Sequence, residues 1–344
     1  YNKQKVLRNL PIPFSESKDK LMPEEILPGF YRLEIPLPDS PLKSLNSYII
    51  TGSTRNLIID TGFNREECLA AMQKGLRSLN IDLTCTDFFI THLHADHFGL
   101  VEKLKTPTST IYFNRPDAEI LDGWDGFEHM FTYAAENGFP ETELRNAFKQ
   151  HPGKKFGTQW VPELKILQDG DLLEVGDYKL TCIETPGHSL GHTCLYEADK
   201  RLLISGDHIL GDITPNIQGW SDQQDMLKFY LNSLDKVYPL VVDLVLPGHR
   251  SMFTNFRERI DELKHHHMAR LDEILSILDQ GSRHAYGVAS KMHWDIKCDS
   301  WEQFPVPQKW FATGEAIAHL RYLEETHQIL RNESVPQTTY SLIA

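Results

Sequence analysis

The sequence predicts an α+β protein in which several β-strands end in histidine or aspartate side chains. Two observations predict this class. Short apolar stretches, some with the alternation of half-buried strands, recur up to about residue 250, and helical periodicity replaces them from about residue 254. At four places a predicted strand leads directly into a turn or loop that carries histidine or aspartate. Such a turn leaves these side chains projecting from the edge of a sheet.

The chain begins with a polar stretch that contains proline, and we predict an irregular N-terminal arm for residues 1–27. The elements predicted next are strands at residues 30–35, 47–51 and 56–59 and a helix at about residues 66–79. Asp60 lies between the last of these strands and the helix. Its position alone allows either a surface turn residue or a carboxylate at the sheet edge.

The most informative stretch follows a buried strand predicted at residues 86–90. Four side chains that can bind metal ions fall within six residues: His92, His94, Asp96 and His97. Alternate residues of a strand share a face, so His92 and His94 can point the same way. Asp96 and His97 lie where a short helix is predicted to begin. Imidazole and carboxylate are ligands of zinc, iron and manganese, which favours a metal site over a polar loop with incidental histidines.

Three further strands end in the same manner, each followed by a tight turn that contains glycine. The strands and their ligand candidates are residues 178–184 with His188, residues 202–204 with Asp207, and residues 241–246 with His249. One Pro-Gly-His turn would be weak evidence for a metal site, because such turns are common on protein surfaces. Four strand ends of this kind in one chain are strong evidence.

In their order along the chain, these motifs resemble those of the metallo-β-lactamase superfamily over about residues 25–255. The motif residues are Asp60, His92, His94, Asp96, His97, His188, Asp207 and His249. The resemblance implies a four-layer αββα sandwich with the metals at one sheet edge. It also implies two metal ions, with zinc as the expected metal and iron or manganese as alternatives.

The resemblance assigns a role to each motif residue. His92, His94 and His188 would bind one ion, Asp96, His97 and His249 would bind the second, and Asp207 would bridge the two. Asp96 is also the predicted catalytic residue, because it could accept a hydrogen bond from a hydroxide and orient it. Asp60 would orient the metal loops from behind. His192 and His208 lie beside ligands without matching ligand positions. Either could donate a proton to the leaving group, but a supporting role is favoured for both.

Residues 115–165 form a predicted helical insertion in a metallo-β-lactamase-like domain of residues 28–254. Its apolar side chains include Trp124, Phe127, Met130, Phe131, Tyr133 and Phe139. They either pack the insertion onto the sandwich or form a lid that shapes a substrate pocket, and both can hold at once. The loop at residues 211–220 contains Thr214-Pro215-Asn216, which could reach this pocket. A helix is predicted at residues 221–237.

Residues 255–344 predict a small C-terminal helical domain. A single helical stripe contains Phe256, Ile260, Leu263, His267, Leu271, Ile274 and Leu278. Within it, His265-His266-His267 is interpreted as two exposed histidines and one at the core edge, because adjacent helical residues point in different directions. A helix at residues 307–325 and strands at residues 328–331 and 338–342 resemble a winged-helix tail. Since acidic residues match its basic ones, packing or dimerisation is favoured over nucleic-acid binding.

The ligand set implies a dinuclear metal-dependent hydrolase in which a bridging hydroxide attacks an ester, thioester or related bond. The pattern from Thr185 to His192 resembles that of hydroxyacylglutathione hydrolases, which favours thioesters or esters. Two alternatives stay open: a phosphodiesterase or endoribonuclease-like hydrolase, which the C-terminal tail favours, and a non-hydrolytic iron-binding oxidoreductase on the same fold.

Composition limits the partners and the compartment. The net charge of -13 and the pI of about 5.6 disfavour a nucleic acid, which leaves a small-molecule substrate. No stretch approaches the roughly 18 apolar residues of a membrane span, and residues 1–20 lack the apolar core of a signal peptide. The five cysteines are scattered and match no ligand position. We therefore expect a cytoplasmic protein, with a homodimer as one possible assembly.

Overall fold

The computed structural model describes residues 22–122, 128–150, 155, 163–334 and 337–343. Two β-sheets face each other, and helices cover their outer faces. This arrangement confirms the predicted α+β class and the order of helix, sheet, sheet and helix. None of the described helices combines the length and the apolar composition needed to cross a membrane.

In the described part of the chain, the first sheet has seven strands that follow one another in sequence order. They are β1 to β7: Glu24–Leu27, Phe30–Pro36, Ser44–Ile50, Asn56–Ile59, Thr86–Phe89, Ile111–Asn114 and Lys165–Leu167. Strands β4 to β7 run parallel. Because parallel strands end at the same edge of a sheet, the residues after β4, β5 and β6 lie side by side.

The second sheet has, within those described ranges, five strands in the order β12-β11-β10-β9-β8. They are Leu172–Val175, Tyr178–Glu184, Thr193–Glu197, Leu202–Gly206 and Leu244–Pro247, numbered β8 to β12. β10 is antiparallel to both β9 and β11, and β11 is parallel to β12. Strands β9, β11 and β12 therefore point the same way, so the predicted ligands that follow them share one edge.

The helices of the described residues are, as α1 to α10, Glu66–Ser78, Ala95–Phe98, Val101–Leu104, Arg115–Asp122, Glu128–Glu136, Glu141–Gln150, Met226–Val237, Phe256–Leu278, Ala285–Ala289 and Val306–Glu325. Short 3-10 helices occupy Leu83–Cys85 and Trp301–Gln303. A two-stranded hairpin, β13 (Ile329–Ser334) with β14 (Gln337–Leu342), follows α10. The predicted winged-helix likeness of this C-terminal part and the predicted domain boundaries stay predictions.

Side chains along each strand point alternately to the two faces of the sheet, and this alternation forms the separate core layers. In β4, Leu57 and Ile59 point into the core between the two sheets, whereas Ile58 points into the core beneath α1 to α3. Fully burying a side chain of this size is worth about 1.5–3 kcal/mol. A second outer core lies between the other sheet and helices α7 and α8, and includes Leu203, Leu234 and Ile260.

Helix α10 is buried on almost every side. Its central residues from Lys309 to Leu320 are buried except Phe311, the pattern of a helix surrounded by protein. At Gly314 an added Cβ would lie 2.7 Å from the Trp220 side chain, so the absence of a side chain permits this close approach. The C-terminal helices thus pack directly on the loop that precedes α7.

The aromatic residues of the insertion pack on these C-terminal helices rather than on the sandwich alone. The Phe139 ring lies 5.9 Å from the Trp310 ring and 5.0 Å from the Tyr286 ring. Tyr133 joins the core formed by α8, α9 and α10. The lid interpretation of residues 115–165 stays a prediction, and Trp124 and Phe127 lie outside the described residues.

Several predicted boundaries were wrong. The arm predicted for residues 1–27 was expected to be irregular, but Glu24–Leu27 is an edge strand that pairs with β2. The helix predicted from residue 221 begins at Met226, where the Asp225 carboxylate accepts a hydrogen bond from the Lys228 N–H and caps it. Strand β12 begins at Leu244 instead of residue 241, since Val241 is 51% exposed.

The three consecutive histidines in α8 also differ from the prediction. His265 is exposed as expected, but His266 is only half exposed. His267 is fully buried, not at the core edge, and its Nδ1 lies 3.0 Å from Nε2 of His319 on α10. The helical stripe itself is confirmed, because all seven of its members are buried.

Candidate metal centre

Asp60 joins the ends of two neighbouring strands. It directly follows β4 and has a φ of 57°, a left-handed conformation that aspartate tolerates better than most residues. Its carboxylate accepts hydrogen bonds from the Thr91 N–H at 2.9 Å, the Thr91 hydroxyl at 2.9 Å and His97 Nδ1 at 2.8 Å. Asp60 therefore holds the proton of His97 on Nδ1 and directs Nε2 into the site.

Three imidazoles converge at one end of the site. His94 Nδ1 lies 2.9 Å from His92 Nε2 and 3.0 Å from His188 Nε2. The Asn216 carbonyl accepts from His188 Nδ1 at 2.9 Å, and a carbonyl can only accept, so His188 Nε2 carries a lone pair. Lone pairs directed at one another repel unless a cation lies between them.

The tautomer of His92 follows from the same network. The Thr91 hydroxyl donates to the Asp60 carboxylate and therefore accepts from His92 Nδ1, which lies 3.0 Å away. This leaves a lone pair on His92 Nε2. Of the three close nitrogens, only that of His94 has a tautomer left open, so the group fits a metal ion better than a set of mutual hydrogen bonds.

A second group lies beside the first. The ligand atoms of Asp96, His97 and His249 all lie within 4.8 Å of one another. The Ser44 carbonyl accepts from His249 Nδ1 at 2.8 Å, which turns Nε2 towards the site. Both His97 Nε2 and His249 Nε2 are buried and lack a hydrogen-bond partner among the described residues. Buried polar atoms without partners are costly, and a bound cation would satisfy them.

Asp207 lies between the two groups. Its Oδ2 is 3.5 Å from His188 Nε2, 3.3 Å from His249 Nε2 and 3.6 Å from His97 Nε2. Its Oδ1 is buried without a hydrogen-bond partner in the described ranges. The geometry thus brings together all seven predicted ligands, with one carboxylate in reach of both groups.

Burial and charge make the site suited to cations. Burial lowers the pKa of His94 to about 3, so this imidazole is neutral near pH 7. Burial raises the pKa of Asp96, but the His97 and His249 charges outweigh it and bring the pKa down to about 2. The same two histidines hold the pKa of Asp207 well below its usual range despite its burial. Although burial lowers both values, the pKa of His249 is raised to about 10 by the Asp207 and Asp96 carboxylates, and the Asp60 and Asp207 charges hold the pKa of His97 well above its usual range. Because histidine binds metals in its neutral form, a cation would displace a proton from each of these two imidazoles.

Asp117 was missed by the sequence analysis. This fully buried residue accepts hydrogen bonds from Leu93 N at 2.9 Å, Ser189 Oγ at 2.8 Å and Gly191 N at 2.8 Å. It therefore fastens the loop of His92 and His94 to the loop of His188. The signal that could have found it is its position just after β6, at the same sheet edge as the predicted ligands.

The two further histidines differ in their surroundings. His192 Nε2 accepts from the Asp207 N–H at 3.1 Å, and its Nδ1 lies 2.8 Å from the Thr185 hydroxyl. His192 thus contacts the backbone of a predicted ligand, as a supporting residue would. The His208 ring lies deeper, 6.0 Å from the His192 ring and 5.3 Å from the Tyr230 ring.

A comparison with known families decides the family. The family model described as Metallo-beta-lactamase superfamily matches residues 42–249. The chain belongs to this superfamily. The match covers the strands and loops that carry all seven converging side chains, and membership implies that the protein binds divalent metal.

Relatives of this superfamily protein include two enzymes named as thioesterases. The acyl-coenzyme A thioesterase MBLAC2 of Bos taurus is 28% identical over 221 residues, which are 60% of this chain and 74% of that protein. The atrochrysone carboxyl ACP thioesterase of Aspergillus fumigatus is 25% identical over 224 residues, 64% of this chain and 55% of that protein. Together with superfamily membership, they support assignment as a metal-dependent hydrolase.

A solved structure extends the likeness beyond the family match. The crystal structure of the metallo-beta-lactamase family protein TTHA1429 from Thermus thermophilus has a TM-score of 0.78 and 27% identity. The likeness covers 93% of this chain and 100% of that chain. Coverage of that extent includes C-terminal helices outside residues 42–249, so these helices are part of a fold shared with another member of the superfamily.

Proposed function

We propose that this protein is a dinuclear metal-dependent thioesterase. It hydrolyses the thioester bond between an acyl group and coenzyme A or an acyl carrier protein. The observation that carries the dinuclear part is the position of Asp207 Oδ2, 3.5 Å from His188 Nε2 and 3.3 Å from His249 Nε2. One carboxylate within reach of two ligand groups suits a bridge that holds two cations close together.

The ligands follow from the same geometry. His92, His94 and His188 would hold one ion, and Asp96, His97 and His249 the other. Zinc is the expected metal, and the mixed nitrogen and oxygen ligands also suit iron or manganese. A bound pair of divalent cations would supply an acidified water nucleophile and polarise the carbonyl group whose carbon is attacked.

The residues of the chain supply orientation and charge. With its pKa lowered to about 2, Asp96 stays ionised, so it can accept a hydrogen bond from a water and orient it for attack. The Asp60 hydrogen bond at 2.8 Å fixes the His97 ring. His192 holds the backbone of Asp207 in place through its bond at 3.1 Å. Each of these contacts limits the movement of a ligand during turnover.

A thioester substrate suits these side chains. A thiol has a pKa of about 8.5, so a thiolate leaves near neutral pH without a strong proton donor. His192 accepts a hydrogen bond through Nε2 and is turned towards Asp207, which makes it a poor acid for a leaving group. The relatives named as thioesterases act on coenzyme A or carrier-protein thioesters by their names, and both carriers present the acyl group on the same phosphopantetheine arm.

A substrate panel with metal analysis tests the proposal. The panel contains acyl-coenzyme A of several chain lengths, an acyl-phosphopantetheine, an S-acylglutathione, a lactone and a phosphodiester. We expect about two metal ions per chain and hydrolysis of the phosphopantetheine thioesters. His94→Ala is expected to lose metal and activity together.

The alternatives give different results in the same panel. Turnover of the S-acylglutathione alone would favour a hydroxyacylglutathione hydrolase, and turnover of the phosphodiester alone would favour a phosphodiesterase or endoribonuclease-like enzyme. A redox-active iron centre that hydrolyses no ester would favour an oxidoreductase. The first result would overturn the coenzyme A or carrier-protein substrate but keep a thioesterase, and either of the other two would overturn the thioesterase proposal.

A further inference from the structure

We propose that Glu315 of helix α10 is a positioning residue for the metal centre, which acts through Asn216 on His188. The proposal rests on the proposed metal centre and gives the C-terminal helices a role in it. It concerns the placement of one ligand group and involves no contact between Glu315 and the substrate.

Asn216 contacts His188 directly through its main chain. The Asn216 carbonyl accepts a hydrogen bond from His188 Nδ1 at 2.9 Å. This bond sets both the direction of the ring and the lone pair on Nε2. Asn216 lies between β11 and α7, in a segment without regular secondary structure. No helix or strand hydrogen bonds of its own hold this carbonyl in place, so the position of the carbonyl depends on what holds the loop.

Asn216 also contacts Glu315 through its side chain. The Asn216 side-chain amide donates to Glu315 Oε2 at 2.8 Å, and Glu315 is only 8% exposed. The neighbouring residue of α10 also binds the loop, because the Gly314 carbonyl accepts from the Gly219 N–H at 3.0 Å. Two consecutive positions of one helix thus fix the loop on either side of the Ile217-Gln218 pair.

Arg270 of α8 supports Glu315 on the side away from Asn216. Nε and a terminal nitrogen of Arg270 on α8 lie 3.4 Å from Glu315 Oε1. The Arg270 guanidinium also donates to Glu273 at 3.0 Å and to the His293 carbonyl at 2.6 Å, and it lies 4.1 Å from the Trp294 ring. The Glu315 carboxylate is therefore fixed by a group that is itself held at several points, which makes it a rigid anchor.

Substitutions at Glu315 and at Asn216 differ in their expected effect on general stability. Glu315 also compensates the buried charge of Arg270, so Glu315→Ala would destabilise the fold for that reason alone. Asn216→Ala does not have this effect, because it keeps the Arg270–Glu315 pair. It also keeps the Asn216 carbonyl and the Gly219–Gly314 hydrogen bond, and removes only the Asn216–Glu315 hydrogen bond between the loop and α10.

The test measures the affinity of each metal ion separately, by chelator competition and by the absorption spectrum of the cobalt-substituted protein. In Asn216→Ala we expect the ion at His92, His94 and His188 to bind about 10-fold more weakly, the lower end for loss of an outer hydrogen-bond partner. The ion at Asp96, His97 and His249 is expected to keep its affinity. The cobalt bands of the first ion should shift. The unfolding midpoint should fall less than in Glu315→Ala, because Glu315 Oε2 loses one donor while the Arg270–Glu315 pair is kept.

Two further variants complete the test. Glu315→Gln keeps an acceptor that the Asn216 amide can use, and we expect it to bind the first ion more tightly than Glu315→Ala. Glu273→Gln is the matched control, since it weakens the support of Arg270 without touching Asn216, and we expect wild-type affinity at both ions.

The outcomes separate this inference from the proposed function. A wild-type protein that binds no metal, or only one ion, would refute the dinuclear centre itself. A wild-type protein that binds two ions, with Asn216→Ala unchanged in affinity and cobalt spectrum, would refute only the role of Glu315. Equal weakening of both ions in Asn216→Ala, with a matching fall in stability, would also refute it and indicate a purely structural contact.

Discussion

His249 and His188 are held in different ways, although both turn Nε2 towards Asp207. The Ser44 carbonyl that accepts from His249 Nδ1 belongs to β3. The same strand also fixes the neighbouring turn, because the Asn46 amide donates to the Pro247 carbonyl at 2.9 Å and to the Arg250 carbonyl at 2.8 Å. His249 is thus supported directly by a sheet.

The carbonyl that accepts from His188 lies instead in a loop, and this loop is fixed by contacts to α10. A residue in a sheet shares the stability of the strands around it, whereas a loop is only as rigid as its contacts. The half of the proposed centre that contains His249 therefore depends on the sandwich, and the half that contains His188 depends on the C-terminal helices. Substitutions should therefore affect the two halves separately, except where a residue serves both.

Asp207 serves both halves, so its substitution should have the largest effect. Asp207→Asn keeps the size of the side chain but removes the charge that both ligand groups share. We expect both ions to bind more weakly and thioester hydrolysis to fall by more than the roughly 10–100-fold that loss of an outer hydrogen-bond partner costs. Elemental analysis after dialysis, with turnover of an acyl-coenzyme A, measures this.

A variant that kept both ions at wild-type affinity would show that Asp207 is not a bridge. Loss of one ion alone would assign Asp207 to that half of the centre. Either outcome would contradict the bridging role inferred from the position of Oδ2, which lies 3.5 Å from His188 Nε2 and 3.3 Å from His249 Nε2.

Asn46→Ala is the counterpart of Asn216→Ala in the half that depends on the sheet. It leaves the Arg250 carbonyl without its donor and the Pro247 carbonyl with the Tyr48 hydroxyl alone, which we expect to cost about 1–3 kcal/mol of unfolding free energy. The ion at Asp96, His97 and His249 should bind about 10-fold more weakly, and the other ion should not change. Denaturant unfolding and chelator competition give the two values.

The matched control is Asn56→Ala. Asn56 begins β4, whose opposite end carries Asp60, and its amide donates to Thr86 Oγ1 at 3.3 Å. The substitution removes an asparagine hydrogen bond at the end of β4 that lies away from the metal centre. The affinities for both metal ions should therefore be retained. If Asn46→Ala weakened the ion at His188 as much as the ion at His249, the two halves would not be independent.

How far the sequence predicted this centre depends on whether each signal is local. A strand pattern followed by a turn with a ligand side chain is visible within ten or so residues, so His92, His188 and Asp207 could be found. The direction of β9, β11 and β12, which brings the ligands to one edge, also follows from their shared pattern once the family fold is assumed.

The sequence could not predict residues whose roles depend on tertiary contacts. Asp117 looks like an ordinary residue of a helical first turn, and Glu315 looks like part of a solvated charge pattern. Their importance comes from contacts to Leu93 and Asn216, which no local pattern records. His267 was misplaced for the same reason, because helical periodicity predicts which side faces a core but not that α10 covers it.

The smallest expected effect is a fall in stability in mild acid. It arises from buried histidines on the side of the molecule that supports His188. Burial lowers the pKa of His208 and that of His319 to about 3 each, and His319 Nδ1 donates to the Glu315 carbonyl at 2.8 Å. The ordinary pKa of an exposed histidine is about 6.5. Between these values the unfolded chain binds protons that the folded protein does not. Stability is therefore fully present above pH 6.5 and falls as the pH falls towards 3.

Each such histidine should contribute about 1.4 kcal/mol per pH unit to this fall. His208→Leu removes one of these histidines and places an apolar side chain against Tyr230. The free energy of unfolding of the variant should therefore fall less steeply as the pH falls, by about 1.4 kcal/mol per pH unit. Urea unfolding at pH 7, 6 and 5 measures the slopes, and the two proteins should show the same pH dependence above pH 6.5. Equal slopes below pH 6.5 would mean that His208 is already protonated in the folded protein, in conflict with its complete burial beside Tyr230.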